Sequence, residues 1–208
     1  YTWYYYLEVL PGQDTTGLET RTDGGKTYYR YHTTTVKGSQ LSLTYDEDYF
    51  PITGFDQRDS SVPSFSNRTA YLYYIRESYD LSFNSAGVEL ENKGGTYLYE
   101  QDISGTYFVP DYPENFEANA YEFAGWYTTP QCFDGTEFEF TGATMPAEDV
   151  ALFAKWAPVT HYVNIYLDDT LTSQIGSTQK IPHNDYAMKP ANDPVNGTKD
   201  FIGWFYKD

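Results

Sequence analysis

Apolar and polar residues alternate in short runs along this chain, and no long stretch repeats apolar residues at i, i+3, i+4 and i+7. Tyr71-Leu72-Tyr73-Tyr74-Ile75 is one strand-like run. Tyr79, Leu81 and Phe83 alternate with Asp80, Ser82 and Asn84, a period of two. Val150-Ala151-Leu152-Phe153-Ala154-Lys155-Trp156 is a third candidate strand. Around Tyr162, Asn164 and Tyr166 the aliphatics Val163, Ile165 and Leu167 fall on one face of a fourth. Turn signals separate the runs: Asp23-Gly24-Gly25, Lys93-Gly94-Gly95, Asp134-Gly135 and Asn196-Gly197. The pattern predicts a mostly-β chain with little helix.

The pattern also repeats. Phe123-Ala124-Gly125-Trp126-Tyr127 returns as Phe201-Ile202-Gly203-Trp204-Phe205, with a weaker echo at Ile52-Thr53-Gly54-Phe55. Thr69-Ala70-Tyr71-Leu72-Tyr73-Tyr74 is echoed by Asp149-Val150-Ala151-Leu152-Phe153-Ala154. Three units are therefore expected: 1–78, 79–158, and 159–208, the last cut before its closing strand. A Gly between an apolar residue and an aromatic lets backbone and ring approach closely, or lets the strand bulge. Trp126, Trp156 and Trp204 are accordingly read as core residues, the other reading being a platform for stacking sugars.

Composition narrows the function. Aromatics make up 19% of the 208 residues, including 23 Tyr and 13 Phe. Each buries roughly 150–250 Å², so small aromatic cores are within reach. The net charge is −17, with a pI near 4.3. That field repels nucleic-acid phosphates and anionic membrane surfaces. It serves solubility, or attracts a basic partner or calcium. No apolar run approaches the roughly 20 residues that span a bilayer, so no membrane insertion is expected of this segment. Cys132 is the single cysteine, which excludes an internal disulfide and any zinc site of several thiolates. The chain opens on Tyr1 and stops at Asp208 with no leader or sorting signal, and is expected to be part of a longer, multi-repeat polypeptide.

Motifs for catalysis are missing from the sequence. Gly24-Gly25-Lys26 lacks the flanking residues of a phosphate loop and is read as a turn. His32, His161 and His183 stand apart, without metal-ligand spacing or an adjacent nucleophile motif. Cys132 lies in a predicted loop near Asp134 and Glu137, which oppose a lowered thiol pKa. Asp46-Glu47-Asp48 and Asp168-Asp169 match no calcium-loop pattern and are read as solvated loops. Asn67-Arg68-Thr69 and Asn196-Gly197-Thr198 fit a glycosylation tripeptide that a bacterial source would leave silent. No enzyme activity, cofactor or metal is expected.

Tyr121-Glu122-Phe123-Ala124-Gly125-Trp126-Tyr127, then Phe138-Glu139-Phe140, Met145-Pro146-Ala147 and the run from Asp149 to Trp156, resemble the second half of the Listeria–Bacteroides repeat family, the B-repeat of internalin-type proteins. The resemblance covers about 79–156 well and 160–206 moderately. The first 78 residues are looser. Their Tyr-rich opening and Gly54-Phe55 are similar to the mucin-binding-type modules that alternate with such repeats, though they lack the Trp and the Met-Pro-Ala segment. The resemblance implies tandem, elongated, β-grasp-like modules on the surface of a Gram-positive bacterium, attached to its cell wall. It implies an adhesive or spacing role without catalysis. Proteins of this kind sometimes carry a Lys–Asn cross-link, for which Lys155 is a candidate donor, although the plain structural reading suits its place in the repeat better.

The stripes Trp3-Tyr4-Tyr5-Tyr6 and Tyr28-Tyr29-Arg30-Tyr31 are the candidate binding surface. Only alternate residues of a strand face one side, so runs of aromatics must expose some rings unless both faces are covered. Trp3, Tyr5, Tyr29, Arg30 and Tyr31 are the expected ligand contacts, with a host surface protein, mucin or glycan as partner. The competing reading leaves Tyr tips wet on a thin sheet. Three functions follow: an adhesion module, a passive stalk, and an accessory module of a secreted hydrolase.

Overall fold

In the computed structural model the described residues are 2–35, 52–57, 68–195 and 197–206. Asp46, Glu47, Asp48, Asn67 and Asn196 lie outside them. The described chain is almost entirely strand and loop, with one turn of 3-10 helix at Ser104–Thr106.

The first sheet holds β1 (Thr2–Glu8), β2 (Thr20–Asp23), β3 (Lys26–Thr35), β4 (Phe55–Gln57) and β5 (Thr69–Arg76), in the order β2-β3-β1-β5-β4. Gly24 and Gly25 both take positive φ, 56° and 81°, and close the two-residue turn that pairs β2 with β3. β1 runs antiparallel to β3 and parallel to β5. The β1–β3 register shifts between Tyr5 and Tyr6: Tyr5 faces His32 and Tyr6 faces Arg30, leaving Tyr31 as the extra residue of a bulge. Along β5 every second side chain is buried, namely Ala70, Leu72, Tyr74 and Arg76. These join Trp3, Tyr5, Leu7 and Phe55 in one core, against which Tyr29, Ile52 and Tyr99 also pack.

The second sheet holds β6 (Ser78–Ser85), β7 (Val88–Glu89), β8 (Gly95–Leu98), β9 (Tyr121–Tyr127) and β10 (Val150–Pro158). Its order is β7-β6-β10-β9, with β8 also pairing β6. β6 is antiparallel to β7 and β8 and parallel to β10, with Leu81 opposite Val150 and Phe83 opposite Leu152. The expected alternation holds, with Leu81 and Phe83 both buried. Trp126 fills the space beside them. Its ring lies 4.8 Å from Phe83 and 5.1 Å from Phe108, and its indole N–H donates to the Phe108 carbonyl at 2.8 Å. Met145 and Ile103 are fully buried as well. The Met145 N–H donates to Gln101 O and the Ile103 N–H to Ala143 O, so the Met-Pro segment is stitched to the loop before the 3-10 turn.

A third sheet is the antiparallel pair β11 (Thr160–Tyr166) and β12 (Gln174–Pro182). Two compact units result: Tyr1–Val109 with Gly125–Ala154, and Pro110–Ala124 with Lys155–Asp208. In the second unit Trp156 is half-buried among Tyr112, Phe116 and Phe123, at ring distances of 5.4, 6.1 and 5.8 Å. The Tyr112 hydroxyl donates to Glu117 O and accepts from the N–H groups of Ala120 and Tyr121, bracing the loop that carries the cluster. Trp204 is also half-buried and lies against Phe201 at 5.1 Å, outside any strand. Among the described residues no helix is long and apolar enough to cross a membrane.

Candidate binding face

Because partners across a sheet share a face, the β1–β5 register sets Tyr4 beside Tyr71 and Tyr6 beside Tyr73. Tyr28 and Arg30 come from β3 on the same side, and Arg21 from β2 opposite Tyr28. The rings form a continuous layer. Tyr4 stacks on Tyr71 at 5.6 Å, Tyr6 meets Tyr73 at 5.6 Å, and Tyr28 meets Tyr73 at 4.9 Å. Two guanidinium groups lie on it, Arg21 at 3.9 Å over Tyr71 and Arg30 at 5.7 Å over Tyr4. Arg30 also pairs with Glu19 at 2.7 Å, and the Tyr6 hydroxyl donates to the same carboxylate at 2.9 Å. Burial, then the hydrogen bond to Glu19 and its charge, push the Tyr6 phenol up to about 12. Tyr6 and Tyr28 are fully buried, whereas Tyr4, Tyr71 and Tyr73 are half-buried and Arg21 and Arg30 exposed. The outer part of this layer therefore offers flat rings with two cations among them, in a chain of net charge −17.

The five residues expected to meet a ligand are not on one surface. Trp3 is 3% and Tyr5 1% exposed; both sit in the core on the opposite side of the sheet, and Tyr29 packs against that core. Trp3 and Tyr5 are thus corrected from ligand contacts to core residues, because the strand's alternation sends them to the covered side. Arg30 stands on the tyrosine face, and Tyr31, 48% exposed, projects from the bulge. Tyr4 and Tyr6 lie in the expected stripe but not among its five expected contacts, and Tyr71, Tyr73 and Arg21 of the same face lie outside it. Alternation in β1 and β5 marks these tyrosines as a set, but nothing in the sequence says which set faces the core.

Elsewhere, residues the sequence holds apart are brought together. His161 Nε2 lies 3.1 Å from His183 Nδ1, and His183 Nε2 lies 3.0 Å from Glu117 Oε2. His183 sits mid-chain with its two nitrogens on different partners, so the three groups do not converge on a point. Among the described residues no group of three or more His, Cys, Asp or Glu is placed to hold a metal ion. Asp168 closes its own loop, accepting from Thr170 N–H at 3.0 Å and Thr170 Oγ1 at 2.5 Å. The Thr170 hydroxyl, followed by its backbone N–H, lowers the Asp168 carboxyl below its ordinary value. Cys132 sits in a turn at φ 48°, and Lys155 lies half-buried in β10.

These features define a mostly-β protein built of consecutive small sheets around aromatic cores. Residues 79–155 match the family model of the Listeria-Bacteroides repeat domain. Over 88 residues the chain is 33% identical to Internalin H of Listeria monocytogenes, a match covering 41% of this chain. The chain spans only 14% of that relative's length.

Proposed function

We propose that this chain is a non-catalytic repeat region of a bacterial cell-surface adhesin, whose first sheet meets a host or matrix ligand through its tyrosine–arginine face. The observation that carries the reading is Arg21 lying 3.9 Å over Tyr71 amid half-buried tyrosine rings. Hot spots of recognition surfaces are enriched in Trp, Tyr and Arg. The similarity to Internalin H and to the Listeria-Bacteroides repeat supports an extracellular, cell-wall-attached setting. The first sheet serves as the mucin-binding-like module, and residues 79–158 and 159–208 as consecutive repeats. The strand order common to the first two sheets favours β-grasp-like modules.

The experiment is a binding screen of the 208-residue chain against immobilised mucins, matrix proteins and polysaccharides. A ligand whose affinity falls at least roughly tenfold in both Arg21→Ala and Tyr71→Ala supports the reading. A ligand indifferent to both changes removes the face from the account. Silence across all three classes favours the second reading, a passive spacer. That reading has its own support in the buried Arg76, which ties the first sheet to residues 99 and 100 of the repeat.

A further inference from the structure

The Lys and Arg residues on the strands of the first sheet are Arg21, Lys26, Arg30 and Arg76. Lys26 pairs with Glu8 at 2.7 Å, Arg30 with Glu19 at 2.7 Å and Arg76 with Glu100 at 2.6 Å. Arg21 is the exception. Its guanidinium lies 3.9 Å over the Tyr71 ring and 6.0 Å from the Tyr6 ring, and its polar neighbours are the phenols of Tyr73, Tyr71 and Tyr6. Among the described residues no carboxylate pairs with it. Asp and Glu outnumber Lys and Arg in this chain by 30 to 13, so composition does not explain the missing partner. The sheet surrounds this one cation with rings instead.

That setting suits a carboxylate brought from outside. A guanidinium close over a ring is steadied by the π face, while its N–H donors lie in its own plane and stay available. Arg carries five such donors, in a fork that matches the two oxygens of a carboxylate. Part of the ordering cost of an arginine contact is thus met before a ligand arrives. Arg21 is exposed, and β2 is an edge strand of the sheet. Charge then sets the size of the ligand. Arg30 already shares Glu19 with the Tyr6 hydroxyl, which leaves Arg21 as the unneutralised cation of the face. One carboxylate satisfies it, whereas a polyanion brings further charges into a field of net charge −17. The half-buried rings of Tyr4, Tyr71 and Tyr73 add apolar carbon interspersed with phenol oxygens, a mixture that the C–H and O–H groups of a sugar ring match.

Resting on the reading that the tyrosine–arginine face meets a ligand, we infer that this ligand is a glycan end bearing a single carboxylate, held by the Arg21 fork with its sugar ring against the neighbouring tyrosines. Glu19 opposes it. That carboxylate is tied into the same layer through Arg30 and Tyr6, repels an anionic ligand and occupies Arg30. Removing the Glu19 charge therefore strengthens an acidic sugar and leaves a neutral one unaffected.

The test titrates sialyllactose, which carries one carboxylate, into the full chain and follows amide and tyrosine-ring signals by NMR. Expected is saturable displacement of the Arg21 and Tyr71 signals. Lactose and the methyl ester of sialyllactose should bind at least about tenfold more weakly, since each lacks the charge that the fork takes. Arg21→Lys keeps the charge without the fork and should bind at least about threefold more weakly, with signals away from the face unmoved. Glu19→Gln should tighten sialyllactose about threefold and leave lactose unchanged. Equal binding of acid and ester, no tightening in Glu19→Gln, or no displacement at about 10 mM sialyllactose would overturn the inference. Those results leave the ligand-binding reading to the screen with Arg21→Ala and Tyr71→Ala. Sialyllactose binding that survives both of those substitutions would sink the inference and the reading together. Tighter binding of dextran sulfate or of an oligoglutamate peptide would overturn the inference in favour of a polyanion or an acidic protein.

Discussion

Arg76 buries a full positive charge, its side chain only 1% exposed, so every donor needs an acceptor. Its Nε donates to Glu8 O at 3.0 Å, and one terminal nitrogen donates to Tyr99 O at 2.9 Å and to Glu100 at 2.6 Å. Its own backbone N–H donates to the Glu8 carboxylate, and the guanidinium lies 4.7 Å over the Phe55 ring. Arg76→Met fills the volume but strands two carbonyls. Its ion-pair partner Glu100 is 50% exposed and returns to water, so the cost is that of the two stranded carbonyls, about 1–3 kcal/mol each, measurable by urea unfolding. Tyr28 is the opposite case. Its hydroxyl is buried without a hydrogen-bond partner among the described residues, so Tyr28→Phe should be neutral or stabilising by about 1 kcal/mol in the same assay. Tyr6 contributes to alkaline behaviour, alongside Tyr79, whose hydrogen bond to Glu77 also raises its phenol to about 12. The Tyr6 phenol ionises near 10.0 when unfolded and about 12 when folded, so the folded state holds the proton more tightly. That contribution is complete below pH 10 and is lost as pH rises toward 12. Tyr6→Phe should flatten the fall in stability over this window, and an unchanged alkaline unfolding curve would contradict the linkage.

At the scale of elements, Gly125 tests the repeated motif. Nothing closer than 3.8 Å would meet a Cβ there, so space is available and only the backbone objects. Gly125→Ala should therefore cost about 1–3 kcal/mol from strain at φ 121° alone. Trp126→Ala, which removes a ring wedged between Phe83 and Phe108, should cost about 3–5 kcal/mol in the same unfolding measurement. Strands of this kind were legible in advance. Period-two alternation marks β5, β6 and β11, and the Asp-Gly-Gly turn marks the β2–β3 hairpin, because these signals are local. The phase of β1 was not legible. Tyr4, Tyr5 and Tyr6 are chemically identical, and β1 is an interior strand with rings on both sides, so composition cannot assign a side. The bulge at Tyr31 then breaks the count once more and puts Arg30 on the face opposite Trp3. The contact between His161 and His183 was hidden for another reason: it depends on the register of β11 against β12, which no residue pattern prints.

At the scale of the whole chain, the echo at Gly54-Phe55 takes on a second meaning, because it sits where the first sheet meets the repeat. Gly54 holds φ 74°, and a Cβ on it would drive into the Tyr99 ring. Tyr99 in turn packs against the core of the first sheet and meets Phe55 edge-on at 5.8 Å. The backbone is tied at the same place, with Glu77 N–H donating to Gly54 O and Tyr99 N–H to Glu77 O, both at 2.9 Å. This joint makes the two sheets share their stability. In the unaltered chain the first and second sheets should melt together in calorimetry. Gly54→Ala adds backbone strain and a clash, about 2–4 kcal/mol in all, placed almost wholly on the joint. The first sheet should then melt ahead of the second, giving two resolved calorimetric transitions. A single transition merely shifted to lower temperature would mean that Gly54 and Tyr99 stabilise the first sheet without coupling it to the repeat.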